Sequence, residues 1–133
     1  MNHALVRRVT TEVREWAELA ARKRGFAEDL ECFCAIGAAK LFIELHAAGV
    51  QAYIVCNEYH AFVEVENFIV DITATQFGKA PVFIQNRNDF EDHQCFFWSH
   101  KDSTRFKDVH SFREYQCHGG WPADQIVFKN LLP

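Results

Sequence analysis

At Val50 the hydrophobic period of this chain changes, and that change limits the folds open to it. Upstream, Leu5, Val6, Val9, Val13, Trp16 and Ala20 recur at steps of three and four, with Arg7, Arg8, Glu12, Arg14, Glu15 and Glu18 filling the other face. The spacing predicts an amphipathic helix ending near Gly25, its apolar stripe in the core and its charged face toward water. A second helix is predicted from about Cys34 to "HAAGV", where Gly49 suits a C-terminal cap. Ala38, Leu41, Phe42 and Leu45 form its buried stripe, and Lys40 and Glu44 face water. Ala35, Gly37, Ala38 and Ala39 would let this helix approach a sheet closely. Gly37 lowers helix propensity, so a close neighbour is expected at its backbone.

From Val50 onward the period is two. "VQAYIVC", "YHAFVEVE" and "FIVDITA" read as three strands, with a tight turn at Asn67 between the last two. Pro81 introduces "VFIQ", a short fourth strand or edge piece. Residues from about Arg87 to Gly120 read as irregular, with "GG" and "WP" as breakers, and "ADQIVFKNLL" fits either a helix or a strand. Two helices followed by an antiparallel meander predict an α+β fold, with helices packed on an antiparallel β-sheet in a single domain over residues 1–133.

Composition narrows the function classes. Lys+Arg 14 against Asp+Glu 18 leaves a net charge of −4 with no basic block, which argues against nucleic acid as a partner. Thirteen Phe and three Trp point to a core filled by rings. No apolar run approaches a membrane span, and "MNHALVRRVTTEVREW" has no apolar signal region. Five cysteines, an odd number without even spacing, then suggest a soluble cytoplasmic protein with reduced thiols.

Cys34, His60 and Asp71 form the constellation that can carry chemistry. Cys34 stands at the predicted start of the second helix, where backbone N–H groups and the helix dipole favour a thiolate. His60 begins the second strand and Asp71 lies on the third. His60, Phe62 and Glu64 share one face of their strand; Ile69, Asp71 and Thr73 share one face of theirs. A cross-strand carboxylate can therefore fix the His tautomer and leave the other ring nitrogen for the thiol. Taken singly, a Cys is more often a small core residue, a strand His a satisfied one and an Asp a turn cap. Their joint order is what points to a nucleophile, a base and an orienting group.

"CAIGAAKLFIELHAAGVQAYIV" and "HAFVEVENFIVDITATQF", over roughly Leu30 to Phe77, resemble the core of transglutaminase-like, papain-like cysteine enzymes. That resemblance implies a papain-like or transglutaminase-like core and thiol acyl transfer through a thioester. Cys34 would be the nucleophile, His60 the proton shuttle and Asp71 its orienter. It implies a protein or peptide substrate, with no cofactor, no nucleic acid and no membrane. One departure stands out: the region before the nucleophile, "FAEDLEC", holds no Gln for an oxyanion hole. The Cys34 N–H can supply one donor. Gln76 is a candidate for the second, or equally a polar residue bonded locally at a strand end. Cys34 is preferred to Cys32 because the small residues "AIGAAKL" follow it directly.

Other readings remain open at this level. The pairs Cys32/Cys34, His93/Cys95 and Cys117/His118 raise zinc, although none has the C-x₂-C spacing of a structural knuckle. A binding module with an unused triad is a second alternative; Phe96, Phe97, Trp98, Phe106 and Phe112 would line its groove, or simply cap the sheet core. Among enzyme readings, hydrolysis by a peptidase, amidase or glutamine deamidase is favoured. Transglutaminase or acyltransferase chemistry with an amine acceptor follows it, since so small a domain has no accessory unit to hold two protein substrates.

Overall fold

The first helix, α1 (His3–Lys23), starts where Asn2 accepts a hydrogen bond from the Leu5 N–H at 3.1 Å, satisfying one of the free donors of the first turn. It stops at Arg24, and Gly25 takes the left-handed conformation that turns the chain away. A computed structural model describes residues 1–26, 28–90 and 96–131. Val6, Val9, Val13 and Ala20 are buried as the period predicts, but Arg14 is not on the solvated face. It is 6% exposed; its Nη1 donates to the Ile72 carbonyl at 2.7 Å and to Thr75 Oγ1 at 2.9 Å, and its Nε to Glu18 at 2.8 Å. Here α1 crosses the end of a strand, and a carbonyl beyond the sheet ladder takes a side-chain donor instead.

Helix α2 (Cys34–Ala47) ends at Ala48 and Gly49, the latter again left-handed. At Gly37 a Cβ would stand 3.0 Å from Ile72 Cδ1 and 3.3 Å from Thr73 Cγ2, so the close neighbour expected there is the chain just after Asp71. The strands are β1 (Tyr53–Cys56), β2 (Ala61–Val65), β3 (Phe68–Asp71), β4 (Phe83–Asn86) and β5 (Thr104–Phe106), antiparallel in the order β4-β3-β2-β1-β5. The fold is mixed α+β.

Among the described residues, a strand and a helix lie, besides short 3₁₀ turns, in the stretch expected to be irregular. One is β5; the other is α3 (Val109–His118), capped by Asp108, whose carboxylate accepts from the Ser111 N–H at 2.7 Å. Only Val109, Phe112 and Gln116 of α3 are buried, too few to write a clear helical period, and three residues of β5 are too short to show alternation. The described part of "ADQIVFKNLL", residues 123–131, is neither an α-helix nor a strand. It makes short 3₁₀ turns at Ala123–Gln125 and Lys129–Leu131, with Val127 buried between them.

All five residues of β2 are buried, because both faces of the sheet are covered. Ile54, Cys56, Ala61, Val63, Val65, Val70 and Ile72 share a core with the helices. On the other face Val55, Phe62, Ile69 and Trp98 pack with the rings of Phe77, Phe83, Phe90 and Phe97. The five aromatic residues considered for a groove therefore divide. Phe97 and Trp98 cover the outer face, Phe106 and Phe112 belong to the helix side with rings 5.3 Å apart, and Phe96 is exposed. Among the described residues, no helix is long and apolar enough to cross a membrane.

Candidate active site

Register brings His60 and Asp71 together. Val63 faces Val70 and Glu64 faces Ile69, so one step further Phe62 stands opposite Asp71, with His60 two residues beyond on the same face. His60 Nε2 and Asp71 Oδ2 are 2.6 Å apart, and each residue is 2% exposed. Asp71 is saturated with donors: Trp98 Nε1 reaches Oδ2 at 2.8 Å, and the Thr73 N–H and hydroxyl reach Oδ1 at 2.8 and 3.2 Å. Burial works against the charge on Asp71, but His60, Trp98 and Thr73 together hold its carboxyl below the usual carboxylate range. Burial likewise works against a charged His60. The Asp71 carboxylate outweighs it and, with a smaller contribution from Cys34, raises the pKa of the ring. Phe77 and Trp98 meet the imidazole edge-on, with centroids at 4.9 and 6.0 Å.

Asn57 shapes the turn that delivers His60. Its Oδ1 accepts from the N–H groups of Tyr59 and His60 at 2.8 and 3.0 Å, and its Nδ2 donates to the Phe97 carbonyl at 3.1 Å. A second set of bonds holds Trp98. The buried Glu64 carboxylate pairs with Arg87 at 3.0 Å and with His100 and Arg105, and Arg87 Nη1 donates to the Trp98 carbonyl at 2.5 Å. Sequence reasoning missed both supports. The Asn between two strands in "VCNEYH" was a signal for the first, as Asn caps its own turn. Nothing local linked Trp98 to a carboxylate so far back in the chain.

Cys34 is the first residue of α2. The residue before it, Phe33, offers no side-chain acceptor to the N–H groups of the first turn. The half-buried thiol lines a pocket of about 250 Å³ together with Asn57, Tyr59, His60, Trp121 and Gln125. No family model, curated protein or solved structure matches this chain. What its residues can do chemically rests on their own geometry. His60 Nδ1 is buried and makes no hydrogen bond of normal geometry, while the Cys34 thiol is near enough to raise the proton affinity of the ring. With Nε2 engaged by Asp71, Nδ1 is the nitrogen left to share a proton with that thiol.

The remaining sequence candidates fall elsewhere. Gln76 donates to Thr73 Oγ1 at 3.4 Å and is not among the residues lining the Cys34 pocket. Cys32 is exposed with a left-handed backbone, and partial burial, then Glu31 and Cys34, push its thiol pKa up. Burial pushes the Cys56 thiol up to about 12. Among the described residues no group of three or more His, Cys, Asp or Glu could hold a metal ion. Cys117 is exposed on α3, and the exposed His118 sits 3.5 Å from Glu114. The pair His93/Cys95 lies outside the described residues.

Proposed function

We propose that this chain is a thiol-dependent acyl-transfer enzyme acting on an amide of a protein or peptide, as a peptidase, amidase or glutamine deamidase, on a papain-like or transglutaminase-like core. The observation that carries this reading is the buried, unpartnered Nδ1 of His60, whose other nitrogen is held by Asp71 and whose pocket also holds Cys34 at a helix start. A buried His with a purely structural role would have both nitrogens satisfied.

The reaction follows from these positions. The proton shared by Cys34 Sγ and His60 Nδ1 sits on the ring as the S–C bond forms, and the carbonyl π pair moves onto oxygen, where the Cys34 N–H can donate to it. Collapse expels the amine, which takes the proton from His60. Water then attacks the thioester, with His60 accepting its proton and returning it to the thiol. Asp71 stays ionised and stabilises the imidazolium at each stage.

Iodoacetamide labelling tests the pairing. Cys34 reacts ahead of the other cysteines, with Cys56 inert until the chain unfolds. The Cys34 rate falls about tenfold or more in His60→Ala, where no ring nitrogen holds the thiol proton. Equal labelling of the exposed thiols, or a rate indifferent to His60→Ala, sinks the reading in favour of a binding module. Incubation with peptides, read by mass, separates the chemistries: cleavage marks a peptidase, conversion of glutamine to glutamate a deamidase, and an amine adduct a transferase.

A further inference from the structure

The acyl transfer proposed above has one oxyanion donor, the Cys34 N–H, and needs another. Two residues lining the pocket carry a side-chain amide. Asn57 is committed, since both ends of its amide hold backbone groups. Gln125, half-buried in the turn after α3, makes no side-chain hydrogen bond to any described oxygen or nitrogen acceptor. Its amide lies beside the Cys32 thiol, two residues from the nucleophile, and favours the anionic form of that thiol, as an N–H donor does.

The backbone of Gln125 is held unusually firmly for a residue in an irregular segment. Gln116 on α3, fully buried, donates from Nε2 to the Gln125 carbonyl at 2.7 Å and accepts from the Val127 N–H at 3.0 Å. The Gln125 N–H donates to the Pro122 carbonyl at 2.9 Å, and Arg113 Nε donates to the Val127 carbonyl at 3.1 Å. A side-chain amide spent on clamping the Gln125 carbonyl and the Val127 N–H, with Val127 anchored in the core, fixes the backbone from which the Gln125 side chain leaves at the pocket wall. Such prior ordering is what an oxyanion donor requires, because it spares reorganisation during the reaction.

We propose that Gln125 supplies the second oxyanion donor, its side-chain N–H donating to the carbonyl oxygen as Cys34 Sγ adds to the carbonyl carbon. The donor acts while negative charge sits on that oxygen. It takes no part in holding the proton that Cys34 Sγ shares with His60 Nδ1, nor in the later delivery of that proton to the leaving group.

This assignment rests on the thiol acyl-transfer reading, and two probes separate the two ideas. Acylation of Cys34 by p-nitrophenyl acetate, followed by p-nitrophenolate release and by mass, passes through an oxyanion; alkylation by iodoacetamide does not. Gln125→Ala and the similarly sized, uncharged Gln125→Met, which lacks the N–H, are expected to slow acylation by about 10²- to 10³-fold. Alkylation of Cys34 in both variants should stay within about twofold of wild type, showing that the thiol and the fold are intact. Acylation at the wild-type rate in both variants overturns the assignment. So does a parallel fall in acylation and alkylation, which would make Gln125 a support of the pocket. Alkylation of the wild-type protein that ignores His60→Ala defeats the triad itself, whatever Gln125 does.

Discussion

Replacing Trp98 by Phe isolates the indole N–H that holds Asp71. The ring is 1% exposed and its Nε1 lies 2.8 Å from Asp71 Oδ2, so Phe preserves most of the apolar fill and deletes the donor. A hydrogen bond to a charged acceptor contributes about 1.5–3 kcal/mol. The void left by the missing part of the indole adds about 1 kcal/mol. Urea unfolding at pH 7 should therefore show a loss of about 2.5–4 kcal/mol. The two parts differ in pH dependence. The carboxyl of Asp71 is held low by its donors, so its stabilisation is complete above the unfolded pKa of about 3.9 and fades as pH falls through the lower folded value. In Trp98→Phe the folded pKa moves back up and less of that stabilisation exists to lose. The gap between variant and wild type should then narrow on acidification toward the void term alone. A deficit below about 1 kcal/mol at pH 7, or one of the same size down to the lowest pH at which both proteins fold, refutes the role given to this bond.

Two further outcomes follow from the same site. His60 has a raised folded pKa, so its contribution is full below the unfolded value of about 6.5 and is lost as pH rises through the folded one. Urea midpoints of the wild type should decline across the alkaline range, and in Asp71→Asn, where nothing offsets the burial of the ring, that decline should disappear. Gly37→Val places branched carbon where Ile72 Cδ1 already stands 3.0 Å from a Cβ position, and should cost about 1–3 kcal/mol in thermal or urea unfolding. The same change pushes the first turn of α2 off the chain beyond Asp71, so iodoacetamide labelling of Cys34 should slow with it; unchanged labelling would mean that Cys34 does not depend on this contact.

Local periodicity determined much of this protein. The three- and four-residue steps before Val50 were enough for α1 and α2, and the two-residue alternation after it for the β1–β2–β3 meander, since each pattern follows from how one element buries one face. Strand parity alone put His60 and Asp71 on a common face, because a tight turn at Glu66 and Asn67 leaves few registers to choose from. The close approach at Gly37 was also legible, as a helix carries a glycine at a cost. Tertiary structure decided the rest. Arg14 is buried because α1 happens to cross a free strand-end carbonyl, and α3 and β5 exist through contacts too sparse to leave a pattern. Trp98 reaches Asp71 through the Glu64–Arg87 pairing, and Gln125 reaches the Cys34 pocket through Gln116. Those partners are set by the folding of distant segments onto a shared surface, and no local spacing encodes a contact that only the closed chain creates.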